Sequence, residues 1–307
     1  MDSEAWLAEL AQGNTAALAR AISQVENGRP GFERLLAELH PRLGRAHPDL
    51  RRLRALRRDP AARDAAGVLV AEGIHLAGEA LAAGMAIERA IVAPSLQETD
   101  EGRALLARLD AGAVPVFEVE APVMEGLQDA RSPQPVLLVV PRDALSGRRA
   151  VPGHPGVALV AVAAGVQDPG NLGAMLRSAD AAGATGFVAV GPSADFFHPR
   201  AVRASMGAIF RLPCAQETEV EPLLAELRGL GIRTLAAHPA AELRYDLCDL
   251  RGPVALFFGG EGGGLPADLL GRLDGAVRIP LRPGVESLSV GAAAAVLLFE
   301  ATRQRRG

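Results

Sequence analysis

Val157-Ala158-Leu159-Val160-Ala161-Val162-Ala163-Ala164 runs without a polar residue into Gly165-Val166-Gln167-Asp168-Pro169-Gly170-Asn171. An apolar run of this length, closed by glycine, reads as a strand buried on both faces, the kind found in a parallel sheet. Leu172, Met175, Leu176 and Ala179 then recur at helical spacing, while Arg177 leaves their face. Strand, polar loop and helix in that order are the first half of a βαβ unit. The same grammar repeats downstream. Phe187–Val190, Thr234–Ala237, Val254–Phe258 and Val277–Ile279 read as strands, and Leu223–Leu230 and Val290–Arg303 as helices. The expected architecture is α/β, with parallel pairing and right-handed crossovers.

Three loops in this half carry candidate chemistry, because α/β folds bind ligands outside the carboxyl ends of their strands. The first is Asp168-Pro169-Gly170-Asn171, where Asn171 sits as the expected helix N-cap. The second, Gly259-Gly260-Glu261-Gly262-Gly263-Gly264, follows an apolar strand. Its glycines imply close backbone approach, and Glu261 is its single charge. The loop fails the G-x-G-x-x-G dinucleotide pattern in every register, which disfavours an NAD(P) oxidoreductase. The third joins Ile279-Pro280-Leu281 to Glu286-Ser287-Leu288-Ser289-Val290, where hydroxyls precede the last helix.

Composition narrows the field. The chain has 307 residues, 49% hydrophobic and 22% charged, which is globular and long enough for two domains. No apolar stretch is long enough for a membrane span, the N-terminus lacks a signal-peptide pattern, and a cytoplasmic protein is expected. Cys214 and Cys248 form neither a disulfide framework nor a metal motif, and no metal is expected. All 32 basic residues are arginine. The absence of lysine excludes a P-loop and Schiff-base chemistry.

The first half reads as two further segments. Residues 1–48 are expected to be a helical extension: Trp6, Leu7, Leu10, Leu18 and Ile22, then Phe32, Leu35, Leu36 and Leu39, recur at helical spacing around a break at Asn27–Pro30. Next comes a basic run, Arg51, Arg52, Arg54, Arg57 and Arg58, interleaved with leucine and alanine. It reads either as a solvated helix face or as a phosphate-contacting patch. Val68–Val70, Ala90–Val92, Val114–Phe117 and Val136–Val140 read as strands, with helices over Glu72–Ala83 and Leu105–Leu109. A Pro- and Gly-rich linker spans 141–156. The expected domains are 49–145 and 146–307.

The three loops, in this order and spacing, resemble the SpoU (TrmH-type) family of RNA 2′-O-ribose methyltransferases in the SPOUT superfamily. The segments His198-Pro199-Arg200, Ala204-Ser205-Met206-Gly207 and Phe210-Arg211-Leu212-Pro213 fit the same pattern. Residues 51–140 look like the family's smaller L30e-like substrate-binding domain, on Val70-Ala71-Glu72-Gly73, Glu79-Ala80-Leu81 and Ser132-Pro133-Gln134-Pro135-Val136. Residues 1–48 resemble the helical lead-in of the methylmalonyl-CoA mutase-associated GTPases, through Ala19–Ser23, Val25–Gly28 and Gly44–His47, but no GTPase core follows.

The SpoU resemblance implies a C-terminal parallel sheet threaded through a trefoil knot, a homodimer with its site near the interface, and S-adenosylmethionine as cofactor. It implies that Gly259, Ile279 and Leu288 hold that cofactor, and that Asn171, Arg177, Glu261 and Ser287 form the catalytic set. The arginines 51, 52, 54, 57 and 58 are candidates for binding structured RNA, with 23S rRNA favoured over tRNA. Ser289 stands where the family usually has asparagine, which keeps a non-catalytic RNA-binding relative as an alternative. A guanidinium deprotonates only above pH 12 or so. Arg177 is therefore expected to clamp charge on the phosphate and the developing 2′-oxyanion rather than to abstract a proton.

Overall fold

The computed structural model describes residues 48–128, 133–146, 150–151 and 158–306. The helical reading of 1–48 (Pro48 apart), Ser132 and half of the 141–156 linker lie outside these residues.

Two sheets organise the described chain. The first is built from β1 (Val68–Glu72), β2 (Arg89–Val92), β3 (Val116–Glu118) and β4 (Val136–Pro141), in the order β1-β4-β2-β3. It is mixed: β4 runs antiparallel to β1 and β2, whereas β2 and β3 are parallel. The second is built from β5 (Leu159–Ala164), β6 (Gly186–Val190), β7 (Cys214–Glu217), β8 (Arg233–Ala237), β9 (Val254–Gly259) and β10 (Gly275–Val277). Its order is β10-β8-β9-β5-β6-β7, and every pairing is parallel. The strand β7 was not legible as one. It is an edge strand, half-exposed and partly polar, so it lacks the apolar run that marks the central strands.

The principal helices are α1 (Pro48–Arg58), α2 (Pro60–Ala66), α3 (Ile74–Ala82), α4 (Asp100–Ala111), α5 (Pro169–Ala181), α6 (Pro199–Ala204), α7 (Val220–Gly229) and α8 (Val290–Arg305). The basic run proves to be the polar side of α1. Leu50, Leu53 and Leu56 of that helix are buried against Val68, Val70, Ile91, Leu137 and Val139 of the mixed sheet. Apolar residues three apart define the buried stripe, and the arginines fill the positions between.

Strand alternation sends the other faces inward. Leu69, Ala71, Leu138 and Val140 of the mixed sheet share one continuous apolar core with Leu159, Ala161 and Ala163 of β5, and with Leu172, Met175, Leu176 and Ala179 of α5. Val160, Val162 and Ala164 of β5 face the opposite side, where they pack with Leu223, Leu224 and Leu227 of α7. The described residues accordingly form one compact unit.

Charges fasten the two sheets where this core reaches the surface. Arg63 of α2, 1% exposed, donates Nε and Nη2 to Asp195 Oδ2 at 3.1 and 2.6 Å, and Nη1 to the Leu56 carbonyl at 2.9 Å. The buried Glu72 of β1 lies 3.5 Å from Arg57 and 3.4 Å from Arg203 of α6. Arg211 bridges Asp180 of α5 and Glu79 of α3. A Cβ at Gly207, whose φ is +88°, would sit 2.6 Å from the Glu79 side chain. The Arg142 guanidinium stacks 4.3 Å from the Phe197 ring. Segments 195–211 and 72–79, which carried part of the resemblance, are thus the seam between the sheets.

Candidate active site

The order of the parallel sheet reverses between β5 and β9, which pair with Ala164 opposite Gly259. The loops leaving these neighbouring strands diverge and open a crevice at their carboxyl ends. Asp168–Asn171 leaves β5 on one side, and Gly259–Gly264 leaves β9 on the other. On the β9 side of that crevice, at the carboxyl ends of β8, β9 and β10, lies a cleft of about 550 Å³, of the size that takes a nucleoside-sized ligand. Phe258, Gly259, Ile279, Leu281 and Leu288 supply its apolar wall, and Glu261, Ser287 and His238 its polar edge. All three residues expected to hold the cofactor, Gly259, Ile279 and Leu288, therefore line one cleft.

The glycine loop is closed on itself. Gly264 donates its N–H to the Gly260 carbonyl at 3.1 Å, and the two residues form an isolated antiparallel bridge. A Cβ on Gly259 would lie 2.1 Å from the Gly264 carbonyl carbon, and one on Gly260 would lie 2.1 Å from the Gly165 carbonyl oxygen. Both obstacles are backbone, so neither can swing aside. Gly259→Ala is expected to displace the loop and weaken adenosyl-ligand affinity by about tenfold to a hundredfold, about 1.4–2.8 kcal/mol. Calorimetric titration of the purified variant with S-adenosylmethionine reads this directly, and unaltered affinity contradicts it.

The N-cap of α5 is Asp168, not Asn171. Pro169 occupies the first helical position, which suits its fixed φ and missing N–H. Asp168 Oδ1 accepts the Asn171 N–H at 2.9 Å. As the third helical residue, Asn171 has its side chain released from capping. Its Nδ2 instead donates to Glu261 Oε1 at 2.7 Å, across the mouth of the cleft. Two residues ninety apart in the chain are joined at the sheet's reversal point. The Asn171 N–H, and after it Arg200 at 3.1 Å, hold the Asp168 carboxyl below its ordinary range. His198, which caps α6 by accepting the Arg200 N–H, is pushed down chiefly by burial and then by the nearby Arg63 charge.

Ser289, rather than Ser287, caps the last helix by accepting the Ala292 N–H at 3.3 Å. Serine and asparagine cap equally well. The departure from the family's asparagine therefore leaves the start of α8 intact. Ser287 and Leu288 stand exposed on the approach to it.

Arg177 lies on the exposed side of α5, six residues beyond Asn171 and about 9 Å further along the axis. It does not line the cleft of its own chain, and among the described residues it makes no ion pair. The five α1 arginines divide. Arg52 pairs with Glu88, and the nearly buried Arg57 pairs with Glu72. Arg54 is half-buried, while Arg51 and Arg58 are exposed. His238 was not read as a site residue from sequence. It follows the apolar run Thr234–Ala237, and that same strand-then-polar grammar is the signal that marks it.

Known proteins are similar to this chain. Residues 158–299 match the SpoU rRNA Methylase family, and residues 47–138 match the MRM3-like substrate binding domain. The uncharacterized tRNA/rRNA methyltransferase slr1673 of Synechocystis is 34% identical over 78% of this chain and 85% of its own length. The 23S rRNA (guanosine-2′-O-)-methyltransferase RlmB of Xanthomonas campestris is 42% identical over 50% of this chain, which spans 61% of that relative. The AdoMet-bound rRNA methyltransferase of Sinorhizobium meliloti superposes with a TM-score of 0.70 and 32% identity, covering 84% of this chain and 95% of that one. With two motif loops lining one cleft, the third joined to it through Asn171 and Glu261, and relatives of this similarity along most of its length, the chain belongs to the SpoU rRNA methylase family.

Proposed function

We propose that this protein methylates the 2′-hydroxyl of a ribose in structured RNA, with 23S rRNA as the favoured substrate and S-adenosylmethionine as the methyl donor. The observation that carries the reading is the Asn171–Glu261 hydrogen bond, which couples the Arg177 helix to the rim of the cleft. The cleft suits the cofactor. Its volume accepts an adenosyl group, its apolar wall suits the adenine ring, and its glycine loop offers backbone polar groups at close range.

When bound, S-adenosylmethionine supplies an electrophilic methyl group. The protein's task is then placement, because an in-line displacement gains much of its rate from orientation. Gly259, Ile279 and Leu288 hold the donor end. Asn171 and Glu261 fix the mouth of the cleft, and Arg177 clamps the target phosphate and the charge growing on the 2′-oxygen. The proton leaves to Glu261, to phosphate or to water. Arg51 and Arg58 are the α1 residues best placed to meet RNA phosphates.

A second copy of the chain completes this reading, since Arg177 stands outside the cleft of its own chain. The large exposed side chains Leu247 and Phe299, 71% and 49% accessible, support such an apolar contact. Sedimentation velocity checks the dimer. The activity is tested by incubating the protein with labelled S-adenosylmethionine and rRNA or tRNA transcripts, then mapping the modified ribose. Label on a 2′-oxygen of 23S rRNA is the expected result. Label on tRNA redirects the substrate, and no label on either rejects the reading.

A further inference from the structure

Arg200 is the first residue past the proline that opens α6, and its guanidinium reaches back across the site. Nη2 lies 3.1 Å from Asp168 Oδ2, while the other oxygen of that carboxylate caps α5 through the Asn171 N–H. One carboxylate therefore holds two partners, and its orientation sets the first turn from which the Asn171 amide extends to Glu261. Surrounding contacts leave this turn little room. A Cβ at Gly170 would lie 2.8 Å from Asp168 Oδ1, and one at Gly173 would lie 2.3 Å from the Ala201 carbonyl oxygen of α6. The two helices thus touch backbone to backbone, and Arg200–Asp168 is the polar end of that contact.

The main chain leading to Arg200 is itself anchored. Asp195 Oδ1 accepts the Phe197 N–H at 2.7 Å while its Oδ2 receives the buried Arg63. His198 Nδ1 then accepts the Arg200 N–H at 3.1 Å. A connected path runs from α2, beside the mixed sheet, through Asp195, Arg200 and Asp168 to Asn171.

Resting on the methyl-transfer reading above, we propose that Arg200 is a positioning residue that acts through Asp168 to aim Asn171 at Glu261 and hold the α5 first turn in its working geometry. It touches neither cofactor nor the reacting atoms. Both partners are substantially exposed, with side chains 57% and 40% accessible, so the pair contributes little to stability. A loss of turnover on removing Arg200 is then separable from unfolding.

The test compares Arg200→Ala, Arg200→Lys, Asp168→Asn and the Arg200→Ala/Asp168→Asn double variant. Asparagine at 168 keeps the cap acceptor but discards the charge that Arg200 grips. Arg200→Ala is expected to lower kcat about tenfold or more at saturating RNA, with S-adenosylmethionine affinity and RNA KM within about twofold of wild type. Lysine should restore most of the loss. Asp168→Asn should match Arg200→Ala, and the double variant should be no worse than either, because both act through one link. A rise in RNA KM with kcat unchanged overturns the proposal, since Arg200 then contacts RNA itself. Amide hydrogen exchange at Asn171 supplies a readout independent of catalysis. Faster exchange in Arg200→Ala supports positioning, and unchanged exchange overturns it. That result holds even where the wild-type protein methylates no RNA and the functional reading fails.

Discussion

Replacing Arg177 with alanine is expected to lower kcat for RNA methylation by about 10²–10³-fold while S-adenosylmethionine affinity stays within about twofold of wild type. The split follows from where Arg177 stands. It is outside the cleft that Gly259, Ile279 and Leu288 line, so its removal leaves the cofactor's contacts untouched. It is also exposed, and no ion pair among the described residues occupies its charge. A guanidinium kept available in this way suits the phosphate and the growing 2′-oxyanion, which it meets with a planar fork of donors. Arg177→Lys should recover only part of the activity, because an ammonium is a point charge without the fork. Single-turnover transfer of labelled methyl, paired with calorimetric titration of the cofactor, measures both quantities. Wild-type turnover in Arg177→Ala removes Arg177 from the catalytic set, and a large loss of cofactor affinity moves it to the donor side.

Arg63→Met should destabilise the folded chain by about 3 kcal/mol and lower its thermal midpoint by roughly 6–12 °C. Arg63 is among the largest fully buried side chains, and methionine replaces much of its length without leaving a large void. What disappears is the partner of Asp195 and the donor to the Leu56 carbonyl. Breaking a buried pair leaves an uncompensated charge, which costs about 3–5 kcal/mol. The lower end applies because Asp195 is 24% exposed and can recover some hydration. The variant should also weaken RNA use more than cofactor binding, since Arg63 ties the α1–α2 segment to the turn that precedes α6. Differential scanning calorimetry and RNA KM read the two effects. An unchanged midpoint would show that the core shared by the sheets holds them together without this pair.

Much of the fold was legible because its central strands are buried on both faces. Residues 159–164, 186–190 and 254–259 carry apolar runs that few other structures explain. The edge strand 214–217 escaped notice because edges tolerate polar side chains and carry no such run. The basic run of α1 was ambiguous for a related reason. Charge composition records where arginines are, not which carboxylates fold up against them. Only the folded chain shows that Glu88 and Glu72 engage Arg52 and Arg57 and leave Arg51 and Arg58 outward.

The site divides along the same line. That Asp168–Asn171, Gly259–Gly264 and Ser287–Ser289 are candidates for chemistry followed from sequence alone, because α/β folds bind ligands in loops outside the carboxyl ends of their strands. Local spacing nevertheless misassigned the cap of α5. Asn171 and Asp168 are both good cap residues three apart, and the choice between them rests on where the strand lets the helix begin. Nor does spacing state that Asn171 reaches Glu261 ninety residues later, or that Arg200 shares the Asp168 carboxylate. The first exists because β5 and β9 lie side by side where the parallel sheet reverses its order, the second because β6 lies on the other side of β5, and a strand order is a tertiary fact. The sequence determined which loops could act and the kind of sheet that carries them. The tertiary structure decided which of their side chains meet, since hydrogen bonds between distant segments depend on distances that local periodicity does not encode.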